Sequence, residues 1–333
     1  LPKGIEKEAE TKRRRFMINW QNHTRKTLVA LEDCDLDDTT YSIPCFADLE
    51  PLKKSISVVG IIHRPLVQKD QKRKWIPVLG RRRLLAALEL GFNVIEADIL
   101  EDSYSIAVGY EVAFWDNISH RQFEAPTKAV VVCRMVQLFS REEVAARFLP
   151  ALGIPPYGPR IEALCRIAML GHDIHSLMAL GRLNEKTALL LTYLAPDERR
   201  VITDLIKRLS PNMNKSAELI ASMLDLARYR GCPVQEVLNA PEIKEFLGVT
   251  GSSSCSAMTD TLRSVLRNLR YPDLCLAEAR FSEWLMAQGL PRNINVRPTQ
   301  AFEDTSCIVE IRVESSEKAT DLIGKIMGIE GTE

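Results

Sequence analysis

A glycine and three arginines, Gly80-Arg81-Arg82-Arg83, stand where the strand-like run Trp75 to Leu79 gives way to the helical pattern Leu84-Leu85-Ala86-Ala87. The first turn of a helix carries unpaired N–H groups and the positive end of the helix dipole, so it favours anions. Arginines placed there oppose the dipole unless an anion compensates them, and a guanidinium fork binds phosphate oxygens in pairs. Glycine lets the backbone approach such a group closely. Phosphate binding is the chemistry these residue types could do; a solvated basic helix face is the plain alternative.

Two other blocks flank this one. Upstream lies Leu52-Lys-Lys-Ser55-Ile56-Ser-Val-Val-Gly60-Ile-Ile-His-Arg64-Pro65, which reads as a short helix ending at Gly60, a turn, and a strand begun by Pro65. Downstream, Asp116-Asn117-Ile118-Ser119-His120-Arg121 closes the apolar stretch Ile106 to Trp115. In this order the three blocks resemble the N-terminal domain of ParB-type partition proteins. There the patterns are Leu-x-x-Ser-Ile-x-x-x-Gly-x-x-x-Pro, Gly-Glu-Arg-Arg-x-x-Ala-Ala and Glu-Asn-x-Gln-Arg. The first block matches almost fully. The second has Arg81 where the family has Glu, and the third has Ser119-His120 where the family has Gln-Arg.

The resemblance, which spans roughly residues 45 to 125, implies a CTP pocket built from Gly80, Arg81, Arg82, Arg83 and Asn117. It implies that Asp116 and Asn117 help to hold Mg²⁺, since a carboxylate and an amide oxygen are suitable hard ligands. The residue-level alternative for this pair is a helix N-cap. Arg81 cannot orient or deprotonate water as a glutamate does, so CTP hydrolysis is weakened relative to CTP binding, although Arg81 could add a phosphate contact.

Positioning these residues requires an α+β unit. Strand-length apolar runs at Val58–Ile62, Leu66–Gln68, Trp75–Leu79 and Val94–Leu100 are bounded by Gly, Pro and charged turns, with a helix from about Ser103. The pattern then turns helical from Ala125 to about Arg270. Ser140-Arg-Glu-Glu143 opens a helix as a capping box that runs to about Leu152, although Pro150 argues for an earlier end. Pro159 suits the first turn of the next helix. Further helices are expected at Asp173–Leu180, Asn184–Leu194, Pro196–Leu209, Lys215–Arg230 and Pro233–Leu238, with a flexible loop at residues 251–256.

By its place in the chain, Ser140 to Leu170 corresponds to the family's helix-turn-helix. Its connection, Pro150 to Pro159, exceeds the three or four residues such a motif uses, so the motif reads as degenerate. Arg160 and Arg166, with Lys186 beyond, are the cations available to DNA. Leu274–Gly289, strands at Asn293–Arg297 and Ile308–Glu314, and a helix at Ser316–Met327 form a small α/β piece. Pairing with a second copy, or docking on its own helical domain, would cover its sheet.

The expected fold is thus α+β, in four parts. Residues 1–26 form a flexible basic arm, 27–124 a ParB/sulfiredoxin-like nucleotide-binding domain, 125–270 a helical DNA-binding domain, and 271–333 an α/β dimerisation domain. With 333 residues, 46% hydrophobic and 26% charged, the chain has the composition of globular domains. No apolar run approaches the roughly 18 to 20 residues that span a bilayer. The first twenty residues lack an apolar signal core, and the opening Leu points to an N-terminus missing or altered.

Eight cysteines occur singly, at 34, 45, 133, 165, 232, 255, 275 and 307. No Cys-x-x-Cys pair favours zinc, and a reducing cytoplasm is the simplest setting. His172-x-x-His175 lacks a carboxylate or Cys partner for a metal, so a capping or surface role is expected. Zero net charge argues against a strongly basic nucleic-acid binder but leaves local patches, at Lys12 to Arg15 and Arg64 to Arg83. The reading is a cytoplasmic, nucleoid-associated, ParB-like dimeric clamp on CTP and DNA, in chromosome or plasmid partition or transcriptional regulation, with a possible ParA-type ATPase partner at the basic arm and no membrane. The alternatives are a catalytic relative using the same phosphate pocket (kinase, nuclease or phosphohydrolase) and a partner-binding scaffold without nucleotide or DNA.

Overall fold

The computed structural model describes residues 24–71, 73–101, 104–248, 254–299, 302 and 306–327. It mixes helices with two small sheets and divides into two compact units, Leu1–Lys207 and Arg208–Glu333. The divisions expected at 124/125 and 270/271 lie inside the first and second unit respectively.

The first unit begins with β1 (Thr24–Ala30), whose Leu28-Val29 centre suits a pleated surface. The strand takes Thr24 to Lys26 out of the expected arm, the rest of which lies outside the described residues. β1 runs antiparallel to β4 (Val94–Leu100), β4 parallel to β2 (Leu66–Lys69), and β2 antiparallel to β3 (Trp75–Leu79), in the order β1-β4-β2-β3. Val29, Ile95, Ala97 and Val67 form one core with Leu84 and Ala87 of helix α2 (Arg81–Glu89).

Helix α1 (Glu50–Val59) ends at Gly60, whose φ of +72° a side chain rarely adopts. Of the two readings of this stretch, the short helix ending at Gly60 is present and the strand at Val58–Ile62 is absent: Val58 and Val59 close the helix, and only Ile56 of α1 is buried. A one-in-ten burial pattern leaves an apolar run free to coil, so strand propensity did not decide it.

Helix α3 (Ile106–His120) is capped by Ser105, whose Oγ accepts from the Val108 N–H at 3.4 Å. It buries Tyr110, Glu111, Ala113 and Phe114. Phe114 meets Phe148 edge-on at 5.3 Å and Phe123 at 6.1 Å, and the buried Glu111 carboxylate pairs with Arg147 and accepts from Trp115 Nε1 at 3.3 Å.

Phe148 and Arg147 belong to α5, a helical run of Arg141–Glu143, a wider π-helical stretch Val144–Phe148, and Leu149–Ala151. The capping box at Ser140 and Glu143 is present. Pro150 does not end the helix early. The wide turn, closed by Leu149 N–H to the Val144 carbonyl, moves the backbone that a proline ring would otherwise strike.

Helices α4 (Ala125–Leu138) and α6 (Gly158–Ala168) pack together, and α7 (His172–Ala179), α8 (Glu185–Leu191) and α9 (Pro196–Leu209) follow.

In the second unit, α10 (Met213–Arg230) lies parallel to α13 (Cys255–Arg270), with α11 (Val234–Leu238) and α12 (Pro241–Gly248) in the crossover. Lys215 pairs with Asp260, Glu218 with Arg263 and Asp225 with Arg270, a constant offset of 45 residues. Buried Leu219, Met223, Leu226, Leu262 and Leu266 line the two helices. Of the loop expected at 251–256, residues 251–253 lie outside the described residues; Ser254 caps α13, and Cys255 and Ser256 are helical.

Helix α14 (Pro272–Ala287) buries none of its residues, and the hairpin of β5 (Ile294–Pro298) and β6 (Cys307–Ile311) leaves Ile308 and Val309 exposed; α15 (Ser316–Met327) follows.

Candidate functional site

Blocks one and two meet at the first turn of α2, and block three reaches the same place through the segment 36–48. Gly80 is its N-cap at φ +78°, and a Cβ there would lie 3.1 Å from Pro65 Cβ and 3.2 Å from Arg83 Nη1. Block two therefore needs glycine for two reasons: the left-handed backbone and the close approach of Pro65 of block one. Arg83 adds a second link to block one, donating from Nη1 to the His63 carbonyl at 3.1 Å.

The other two arginines of the turn reach elsewhere. Arg81 donates through Nε (2.9 Å) and Nη2 (2.6 Å) to the Leu36 carbonyl, and through Nη1 to Ser42 Oγ at 3.2 Å. Arg82 donates to the Ala47 and Asp48 carbonyls at 2.9 and 2.5 Å, and to Cys45 Sγ at 3.1 Å. All these acceptors lie in residues 36–48, which form neither helix nor strand.

Block three converges on the same segment. Arg121, at the C-cap of α3, donates from Nη2 to the Pro44 carbonyl at 2.8 Å and from Nε to Asn117 Oδ1 at 3.2 Å. Thr127 Oγ1 adds a bond to the Pro44 carbonyl at 3.3 Å.

Asn117 donates from Nδ2 to the Ala113 carbonyl at 2.8 Å, so both ends of its amide are engaged inside α3. Asp116 faces His120 at 3.7 Å. Neither residue is an N-cap; both lie in the last turns of α3, because Ser105 already starts the helix. Among the described residues no three metal-ligating side chains come together, and the amide oxygen meant for Mg²⁺ already accepts from a guanidinium. The residues at this position do not make a protein-built magnesium site.

The floor of the segment is Tyr41. Its hydroxyl donates to Gln68 Oε1 at 2.5 Å, and Gln68 Nε2 donates to the Glu101 and Tyr104 carbonyls at 3.1 and 3.2 Å. Burial, aided by Asp38, pushes the Tyr41 phenol up to about 12, so it stays a neutral donor. Its ring lies against Gly109 of α3, where a Cβ would come within 2.5 Å. Phe46 then reaches the rings of His172 and His175 at 5.9 and 6.5 Å. His175 is buried with Nε2 2.9 Å from the Ile167 carbonyl, a core role in place of the capping or surface one expected.

Two of the three cations expected to meet DNA are engaged within the helical part. Arg160 pairs with Glu185 at 2.7 Å, and Arg166 donates to the Tyr193 hydroxyl at 2.6 Å while lying over its ring. Lys186 is exposed on α8. Residues 152–157, a six-residue connection, separate α5 from α6, and Glu162 of α6 pairs outward with Arg141.

Sequence reasoning missed Arg121 and the 36–48 segment. The available signal was the four-residue spacing from Asn117 to Arg121, one helical turn; the carbonyls they serve carry no side-chain signature.

No family model and no curated protein matches the chain. Solved structures do. One is the C-terminally truncated chromosome-partitioning protein ParB from Caulobacter crescentus complexed to the centromeric parS site, at 16% identity over 59% of this chain and 98% of that one, TM-score 0.31. The same protein complexed with CTP-gamma-S matches at 18% identity over 55% and 98%, TM-score 0.24. A Pnob8-like ParB-N domain matches at 14% identity over 74% and 97%, TM-score 0.35.

Proposed function

We propose that this chain is a divergent ParB-like, DNA-associated protein that binds CTP at the first turn of α2. One observation carries the reading: three blocks separated in sequence, each resembling a family motif, meet around Gly80, Pro65, Arg83 and the 36–48 segment. Of the residues the resemblance implies, Gly80 and Arg83 stand at the nucleotide, while Arg81, Arg82 and Asn117, engaged with Leu36, Ala47 and Ala113, line the wall beside it. Any Mg²⁺ that accompanies CTP would be held by the phosphates rather than by a protein-built site. The guanidinium of Arg81 is spent on Leu36 and Ser42 and positions no water, so binding without efficient hydrolysis is the expected behaviour.

In this reading residues 24–124 form a ParB/sulfiredoxin-like domain and 125–270 a helical domain with a degenerate helix-turn-helix, α5 and α6. Residues 271–333 hold a homodimer through the uncovered faces of α14 and β6. A clamp on DNA in chromosome or plasmid partition or transcriptional regulation follows, in a cytoplasmic, nucleoid-associated setting. The basic arm would be the contact for a ParA-type ATPase.

The test is a thermal-shift titration of the full chain with CTP, ATP, GTP and UTP, each with Mg²⁺. A ligand selective for the folded state must raise the melting temperature, by about 2.7 kcal/mol of stabilisation at a hundredfold excess over Kd. CTP should do so and the others should not; no shift with any triphosphate refutes the reading.

A partner-binding scaffold is the second reading. It is favoured by Arg160 and Arg166, whose guanidiniums already serve Glu185 and Tyr193. Binding to duplex DNA, with affinity falling as salt rises, separates the two.

A further inference from the structure

We propose that Arg81, Arg82 and Arg121 are positioning residues that clamp the 36–48 segment into one wall of the candidate site, and that Arg83 alone is the guanidinium that meets the anion. The proposal rests on the nucleotide reading above and divides the labour among its arginines.

A guanidinium carries five N–H groups in a fixed planar fork. Arg81 has all three nitrogens engaged, two of them on the single Leu36 carbonyl. Arg82 has both terminal nitrogens engaged, on the Cys45 thiol and on the carbonyls of Ala47 and Asp48. Arg121 spans Asn117 and the carbonyls of Pro44 and, at 3.4 Å, Ile43.

A thirteen-residue stretch with no helix or strand leaves its carbonyls without ladder partners; those of Leu36, Ile43 and Pro44 are partly buried and must find donors, while Ala47 and Asp48 are exposed and gain an anchor in Arg82. The donors come from opposite sides: α2 supplies Arg81 and Arg82, and the end of α3 supplies Arg121, with Thr127 of α4 behind it. An anion taking the fork of Arg81 or Arg82 would strip those carbonyls of their donors. Arg83 differs. Among the described residues one nitrogen only, Nη1, is bonded, to the His63 carbonyl, so Nε and Nη2 stay available on the turn that already favours anions. Asn117 becomes the residue that aims Arg121, and Arg81 a wall-builder.

The experiment measures amide hydrogen exchange across residues 36–48 in the full-length apo protein, with the CTP-dependent thermal shift as a second readout. Arg81→Lys and Arg121→Lys keep the charge but lose the fork. Each should speed exchange in 36–48 by about tenfold while the sheet stays protected, and each should shrink the CTP shift. Arg83→Gln should leave exchange in 36–48 within about twofold of wild type and abolish the CTP shift. Thr127→Val, which removes one hydroxyl on the Pro44 carbonyl, gives a milder form of the same loss should Arg121→Lys unfold.

Unchanged exchange in the lysine variants overturns the clamp. A CTP shift that survives Arg83→Gln overturns the assignment of Arg83, as does faster exchange in that variant. If wild type binds no triphosphate, the nucleotide reading falls and takes the assignment of Arg83 with it, while the exchange data still decide the clamp.

Discussion

Gly109 sits in the middle of α3, where glycine costs helix stability relative to alanine. The Tyr41 ring supplies the reason, since a Cβ at Gly109 would lie 2.5 Å from Tyr41 Cε1. Gly109→Ala should therefore destabilise the protein by about 1–3 kcal/mol, the range for overpacking, despite improving helix propensity. Thermal unfolding with the fluorescence of the tyrosines would read this; a rise in stability would mean that the ring moves freely. At this scale the sequence showed which residue types cluster but not what they hold. Gly80 and the three arginines were legible as a basic turn behind a glycine. Their partners are backbone carbonyls and Pro65, which no pattern of side chains announces, so two guanidiniums read as phosphate ligands turn out to grip the chain itself.

The helices were the most legible elements, because a buried stripe every three to four residues survives in any context; α5, α9, α10 and α15 fall close to their expected limits. Short apolar runs were less secure. Val58–Ile62 reads as a strand by composition, yet Gly60 ends a helix there, while the real strand at Thr24–Ala30 was half absorbed into a charged arm. The register of α10 against α13 was invisible, since a constant offset of 45 residues becomes a pattern only when both helices are known to be parallel. That ladder has a pH consequence. Hydrogen bonds from Lys215 and Arg263 hold the Asp260 carboxyl below its ordinary 3.8. A depressed carboxyl stabilises the fold above its unfolded value, and that contribution is lost as pH falls through the folded value. Stability should thus drop as pH falls below about 4, and Asp260→Asn should be weaker at neutral pH yet flatter in acid. Parallel acid-melting curves for the two proteins would contradict the assignment.

At the scale of the molecule, strands and helices mix at the start and again at the end with helices between, while the compact division falls after Lys207. α10 packs on α13, and α13 packs on α14 across the expected boundary at 270/271, with Arg267 donating to Glu278, which only tertiary packing reveals. No helix among the described residues is long and apolar enough to cross a membrane. The exposed apolar side chains of the last part, with Trp284 at 48%, Met286 at 79% and Val309 at 55% exposure, form the surface on which the proposed homodimer rests. Full-length protein should sediment as a dimer, and Trp284→Asp together with Val309→Asp should shift it to monomer without altering the melting of the first unit. A dimer that persists in the double variant would place the interface elsewhere.

The parallel pairing of α10 and α13 also sets an order of events on the ribosome. An antiparallel partner can follow a helix after a short turn, but a parallel one must wait for the chain to travel back. The last residue of α13, Arg270, is made 40 residues after Arg230 closes α10. At about 5–20 residues per second that interval is roughly 2–8 s, during which Leu219, Met223 and Leu226 have only α11 and α12 to shield them. A nascent chain paused in this window exposes an apolar helix whose proper cover has not yet been translated, which makes the stretch from Gly231 to Arg270 the span of synthesis most open to capture by chaperones.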